Sequence, residues 1–516
     1  MSTTDPNPNA SAEKPDMKLF WACFVALTTT SFGFILRALT LPQWGGEFNL
    51  TNTQIGEIAG VGLWPFAISI VLFSLIIDRV GYKNAMIFAF LCHFMSAALT
   101  LFATGYWSLY IATFMVALGN GTVEAVINPV VATLFPKEKT KWLNMLHAAW
   151  PAGLVLGGIM ALTLGEETSW KIKMILILLP TVLYGVMMFA RKFPLNERVK
   201  AGVSYLDMLK EVGVGGMAIV TTLVVFQIGS IFEWHTTVNL AISILIICLF
   251  GYYVRSFGQP IFILLILLMI PLATTELGTD SWISDLMAPE MRQIGLQAGW
   301  ILVYTSAIMA ILRLFAGSIV HKISPLGLLA VSSAVACLGL VLLSAAGGAM
   351  VLVAATLFAL GKTFFWPTML GVVSERFPRG GALTLNITGG VGMIAAGVIG
   401  AVILGFVQDK EIDRQINAYD HSNQTGLHAA YATDRKTSVF GEYQSVSTSK
   451  LAEAPEEDRQ IVKVIREAAK KAALKTVAIF PVIMFTTYVL LIFYFRSKGG
   501  YKPVLLEADG KKTSSS

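Results

Sequence analysis

The chain has 516 residues, 55% of them hydrophobic and only 14% charged, with a formal net charge of +6. Soluble domains carry ~25% charged residues, so a soluble globular protein is excluded. The basic excess fits loop Lys and Arg in a membrane protein, not a nucleic-acid surface. Cys23, Cys92, Cys248 and Cys337 all fall inside apolar runs without metal-ligand or disulfide spacing, which predicts plain packing.

Residues 1–16 are polar, show no cleavable signal pattern and are expected to be disordered. Apolar runs follow near 18–41, 53–76, 84–104, 107–135, 141–164 and 172–191. They predict a first six-helix bundle over 17–192. A basic connector, 193–213, leads to two runs that form a hairpin over 214–254 around Glu233-Trp234-His235. Runs near 260–283, 298–320, 326–346, 349–375, 382–407 and 476–495 predict a second bundle over 255–496. Each run has roughly the ~20 residues that span a bilayer as helix, so about fourteen transmembrane helices are expected. The polar stretch 408–474 reads as an external cap whose residues 452–474 form an amphipathic helix, and 497–516 as a tail.

Short loops set the expected orientation. Arg79 and Lys83 share one loop, and Lys137, Lys139 and Lys141 another. The connector and the Arg376/Arg379 loop are also basic, whereas 42–52 and 284–297 hold few basic residues. The positive-inside rule then places both termini in the cytoplasm and the protein in the cytoplasmic membrane.

An internal repeat organises the chain. Ala117-Leu118-Gly119 recurs as Ala359-Leu360-Gly361, an offset of 359 − 117 = 242. The same offset pairs Phe135-Pro136 with Phe377-Pro378, Leu143-Asn144 with Leu385-Asn386, and Leu72-Phe73 with Leu314-Phe315. Two parallel six-helix halves explain these matches, with the hairpin inserted between them.

Asp78-Arg79-Val80-Gly81-Tyr82-Lys83 follows the second run and resembles the signature loop of the major facilitator superfamily, with Ser74 and Tyr82 departing from the pattern. A weaker second copy reads Arg313, Gly317, His321 and Lys322. The resemblance implies the major facilitator fold, an all-α membrane protein of two six-helix bundles, with Asp78, Arg79, Gly81 and Lys83 as a gating loop. Glu124, Asn128-Pro129 and Asn144 are similar to the fucose–proton symporter family. There the acid and amide matching Glu124 and Asn144 contact sugar. The family's first-span Asp is missing, with Arg37 or Ala38 in its place.

The residues themselves point to a buried path. An ionisable group inside a span costs at least ~2.5 kcal/mol at the helix centre, so each has a reason to be there. Asn120, Glu124 and Asn128 share one helical face, either lining a cavity or forming a hydrogen-bonded seam. Glu124 reads as a proton carrier or as half of an ion pair with Arg37. Arg37 suits an anionic or hydroxylated substrate, or balances Glu124 or Glu276. Lys362, the repeat-mate of Asn120, is a substrate ligand or a partner of Glu276 or Asp280. Those two acids sit one turn apart and suit Na⁺ or a shared proton, so Glu276 is a second coupling candidate. Asn144, His147 and Trp150 lie at helical spacing, and Asn386 mates Asn144. Trp150-Pro151 and Trp366-Pro367 combine flat apolar faces with kinks. Clustered glycines read as sliding surfaces between bundles. No Walker loop, zinc motif or nucleophile elbow appears, so no enzyme, metal or cofactor is expected. The reading is a monomeric secondary transporter for a small polar solute, possibly a sugar, coupled to H⁺ or Na⁺. Its alternative is a facilitator or exporter of anionic metabolites or drugs.

Overall fold

The computed structural model describes residues 15–50, 52–165, 167–320, 322–438, 441–506 and 512–514. The expected disorder of 1–16 thus falls almost wholly outside the described residues, as does His321 of the second loop copy. The apolar runs form helices, because a backbone in lipid must satisfy its hydrogen bonds within the segment. In chain order the first half holds α1 (Met17–Glu47), α2 (Gln54–Val80), α3 (Tyr82–Leu101), α4 (Tyr106–Leu134), α5 (Lys139–Leu164) and α6 (Trp170–Phe189). The hairpin is α7 (Tyr205–Ile231) and α8 (Thr236–Val254). The second half holds α9 (Pro260–Leu286), α10 (Trp300–Leu314), α11 (Pro325–Ala345), α12 (Met350–Arg376), α13 (Gly381–Ile394) and α14 (Ile479–Ser497). Among the described residues, twelve helices are long and apolar enough to cross a membrane. The shorter α10 and α13 bring the set to the fourteen expected. α13 continues through a π turn, Ala395–Gly400, into the polar helix Ala401–Asn423.

Small residues let the helices approach closely. A Cβ at Gly153 would lie 2.0 Å from Ser31 Oγ, so α5 meets α1 backbone to backbone. Gly361 does the same for α12 against α11, where Ala336 N would be 2.2 Å away. Both contacts lie within one half. Gly158 against Val303, Gly390 against Val71, Gly371 against Thr140, Gly317 against Lys141 and Gly397 against Leu63 face across the halves. Glycine contacts between the halves therefore run along α5 against α10 and α12 and along α2 against α13 and its π turn, while other glycines, such as Gly153 and Gly361, serve tight packing inside a bundle.

The hairpin begins earlier than its apolar run, because Ser204 caps α7 by accepting from Asp207 N at 3.1 Å. Gly213 then breaks the helix at φ 60° and lies against Gly258. Here Val214 N donates to Ser256 O (2.9 Å) and Gln259 N to Glu211 O (3.1 Å). This pairing fastens the hairpin to the start of α9, while most of α8 faces outward.

Both ends of the helix set lie on one face. Asp16 approaches Arg191 after α6, and Lys502 beyond α14 accepts from Arg376. On this terminal face the loop Asp78–Lys83 is tied to the connector. Asp78 pairs with Arg198, Arg79 lies 5.9 Å over the Tyr205 ring, Gly81 turns at φ 79°, and Lys83 is 5.9 Å over Phe189. The halves also meet here. Glu375 at the end of α12 accepts from Thr140 Oγ1 at 2.5 Å, and Lys139 donates to Ser374 O at 3.2 Å.

On the opposite face, the described residues of 408–474 form a folded cap. Its core includes Ile412, Ile416, Leu427, Val462, Ile465 and Ala469. A hairpin of β1 (Asp434–Ser438) and β2 (Gly441–Ser445) and the helix Glu456–Val477 complete it. That helix, read from the sequence as amphipathic, runs into α14. Lys470 pairs with Asp285 in the last turn of α9 (2.8 Å), and Lys471 with Glu290 just beyond it (2.7 Å).

Candidate functional site

Three prolines shape the centre of the molecule. A proline has no N–H, so the carbonyl four residues earlier loses its helical donor. In α5, Pro151 frees the carbonyl of His147, and the helix is interrupted at Ala148. In α12, Pro367 frees the carbonyl of Thr363, where the helix pauses between Lys362 and Phe365. In α4, Pro129 frees the carbonyl of Ala125. A buried carbonyl without a donor is costly, and side chains supply all three. Arg313 Nε donates to Thr363 O at 2.6 Å, and its Nη1 to His147 O at 3.0 Å. Asn386 Nδ2 donates to Ala125 O at 3.0 Å.

Around these kinks lies a cavity of about 20 Å³, enough for about one water. Glu124, His147 and Trp150 line it from the first half, and Glu276, Leu277, Arg313, Trp366 and Met393 from the second. α9 opens into a π turn, Thr274–Gly278, that carries Glu276 at its middle. Such widened turns recur at functional sites. Glu276 Oε1 accepts from Arg313 Nη2 at 2.8 Å, and Oε2 from Trp366 N at 3.3 Å. Asp280, one turn on, pairs with the fully buried Lys362.

Glu124 is placed differently. It is 6% exposed, and its Oε2 accepts from Asn128 Nδ2 at 2.6 Å. Asn128 Oδ1 in turn meets His147 Nε2 at 2.9 Å. No ion pair among the described residues reaches Glu124, and Arg37 is turned elsewhere. Arg37 Nη2 donates to Ser96 Oγ at 2.9 Å, inside the first half.

The residues read from the sequence thus fall into four groups. Glu124, His147, Trp150, Glu276 and Trp366 line the cavity, with Asn128, Asp280 and Lys362 directly behind them. Asn144 and Asn386 bridge the halves, and the Oδ1 of each is without a hydrogen-bond partner. Arg37 and Asn120 belong to the interior of the first half, where Asn120 Oδ1 meets His93 Nε2 at 2.9 Å and His93 Nδ1 meets Tyr184 Oη at 3.0 Å. The loop residues Asp78, Arg79, Gly81 and Lys83 are on the terminal face, away from the cavity. Arg313 is the correction. Read as part of a loop motif, it is 1% exposed and sits at the hub of the cavity. Its place fifteen residues into the run 298–320 was the available signal.

The arrangement is polar, charged and enclosed, and both halves contribute to it. No catalytic constellation accompanies it, and among the described residues no group of His, Cys, Asp and Glu is placed to hold a metal. The cavity holds about one water, far below the few hundred Å³ of an organic-ligand pocket, so the two halves meet in a closed form.

Comparisons with known proteins agree with this organisation. The family model described as Major Facilitator Superfamily matches residues 21–401. The hexuronate transporter of Bacillus subtilis (strain 168) is 22% identical over 386 residues, 72% of this chain and 83% of that protein. The gentisate transporter of Corynebacterium glutamicum is 27% identical over 159 residues, so that match spans only 36% of its length and 30% of this chain. Among solved structures, the Escherichia coli fucose:proton symporter FucP superposes with a TM-score of 0.57 at 15% identity, covering 90% of this chain and 98% of that one. At that identity the likeness speaks for the fold alone.

Proposed function

The chain belongs to the Major Facilitator Superfamily, and from that premise we propose that it carries a small polar organic solute by alternating access, coupled to protons that Glu124 takes up. It is a multi-pass membrane transporter and not an enzyme; solute, ion and orientation are the proposal. The carrying observation is the unequal treatment of the three central acids. Glu276 is held by Arg313 and Asp280 by Lys362, so a proton taken up by either would strand its cation. Glu124 has only the Asn128 amide. A proton on Glu124 strands no cation, and opening the cavity to water gives that proton a way out. One acid is thus free to exchange a proton while two are tied to cations. Sodium fits less well, because the Glu276 and Asp280 carboxylates are already engaged by cations.

The indole rings of Trp150 and Trp366 flank the cavity and suit the flat face of a sugar or sugar acid. Arg313 supports a second reading, an anionic organic solute, because a guanidinium fork matches a carboxylate. The relatives named for hexuronate and gentisate are named for carboxylates. We further propose a monomer in the cell membrane with the terminal face in the cytoplasm. A solute screen in proteoliposomes, with proton, sodium or no gradient, tests the whole reading. Uptake of no sugar, sugar acid or other organic acid, or uptake that sodium alone drives, would overturn it.

A further inference from the structure

We infer that Arg313 is a positioning residue that clamps the two halves in the closed form by capping carbonyls that a proline in each half leaves open. The inference rests on alternating access between the halves, but not on Glu124 or on the identity of the solute.

The guanidinium comes from α10 in the second half. One nitrogen reaches His147 O of the first half, freed by Pro151, and another reaches Thr363 O of the second, freed by Pro367. The third nitrogen holds Glu276. All three directions of the planar fork are spent, and the side chain is almost fully buried. A residue needed only to neutralise Glu276 would not also have to bridge two helices that are interrupted at the same level. The two prolines make those carbonyls acceptors that ordinary helix would not present. The Arg313–His147 bond crosses the cavity between α5 and α10. Widening the cavity by moving these helices apart removes the donor from His147 O and leaves a buried carbonyl unpaired. The closed form is therefore held at its centre as well as at the Thr140–Glu375 contact on the terminal face.

Arg313→Lys keeps a positive charge beside Glu276 but loses the fork, since an ammonium is a compact point charge. Pro151→Ala restores an N–H that takes His147 O back into its own helix and removes the acceptor from the clamp. Spin labels report the separation of the halves without any solute. Thr104→Cys with Ala349→Cys reads the capped face, and Lys137→Cys with Lys322→Cys the terminal face; all four residues are exposed. Cys248→Ser and Cys337→Ser remove the accessible native thiols. Distances are measured on the full-length protein in nanodiscs.

The expected result is a new long-distance population on one face in Arg313→Lys and again in Pro151→Ala. The double variant should open no further than Arg313→Lys alone, because both changes break one bond. Wild-type distances in Arg313→Lys would show a simple counterion and overturn the inference. Additive opening in the double variant would overturn it too. If Arg313→Lys fails to fold, Pro151→Ala decides: wild-type distances there are equally fatal. None of these outcomes bears on whether Glu124 carries the proton.

Discussion

Asn144 and Asn386 cross the interface in opposite directions. Asn144 of α5 donates to Thr368 Oγ1 of α12 at 3.2 Å, and Asn386 of α13 donates to the Ala125 carbonyl of α4 at 3.0 Å. The two are repeat-mates, 386 − 144 = 242. Applied to Ala125, the offset gives 125 + 242 = 367, next to Thr368. The repeat offset read in the sequence thus coincides with a reciprocal pair of ties between the halves. Asn386→Ala leaves the Pro129-freed carbonyl buried and unpaired, at a cost of about 1–3 kcal/mol. Thermal unfolding of the purified protein should show a lowered midpoint. Asn144→Ala should cost less, because Thr368 Oγ1 can donate elsewhere. Equal midpoints for wild type and Asn386→Ala would discount the tie.

Glu124→Gln imitates the protonated acid permanently while keeping a group that can hydrogen-bond Asn128. Solute exchange across the membrane should survive, and accumulation driven by a pH gradient should vanish. Counterflow and pH-jump uptake in proteoliposomes separate the two. Undiminished uphill uptake by the variant would transfer the role to Glu276.

Lys362 and Asp280 form a buried pair, so removing one partner strands the other charge. Lys362→Met should destabilise by about 3–5 kcal/mol, and Lys362→Met with Asp280→Leu should recover much of that loss. Midpoints for the two singles and the double give the coupling. A single variant as stable as wild type would mean that water reaches the pair.

The orientation has its own test. With the terminal face in the cytoplasm, Ser422→Cys in the cap should react with an impermeant reagent on intact cells, and Ser497→Cys only after permeabilisation. The reverse pattern would invert the protein.

Acid should loosen the cap. Partial burial works to raise the Asp420 carboxyl. Hydrogen bonds from Thr425 and the amides of His428 and Leu427 outweigh it and hold the pKa below the usual carboxylate range. A depressed acid stabilises the fold above its unfolded pKa, and that stability is lost as pH falls through the folded value. Limited proteolysis should therefore cut between 420 and 432 faster below pH 4 in wild type. Asp420→Asn should be cut readily already at neutral pH. Cleavage of wild type that is insensitive to pH would remove Asp420 from this role.

The helices were legible because lipid demands long apolar runs, and the halves because four matches kept one register through 242 residues. The loop resemblance led to the right family. Much of the cavity was legible too, since Glu124, Glu276 and the Trp-Pro pairs stand out against apolar neighbours. Arg313 was hidden by its sequence context: four residues before a glycine near the end of a run, it looked like a loop cation. Its partners, the carbonyls of His147 and Thr363, lie 166 and 50 positions away and are backbone groups that no side-chain pattern advertises. Asn120 shares α4 with Glu124 but faces inward within its own bundle, as Arg37 of α1 does, a rotation that spacing alone does not set.

Among the described residues, ion pairs staple the cap to the second half. Lys470 and Lys471 grip the end of α9, and the cap's last helix is continuous with α14. It must then travel as cargo of the second half whenever the bundles rock. A binder raised against its surface would act as a handle on that half, and tethering the handle to a support would leave the first half as the moving part.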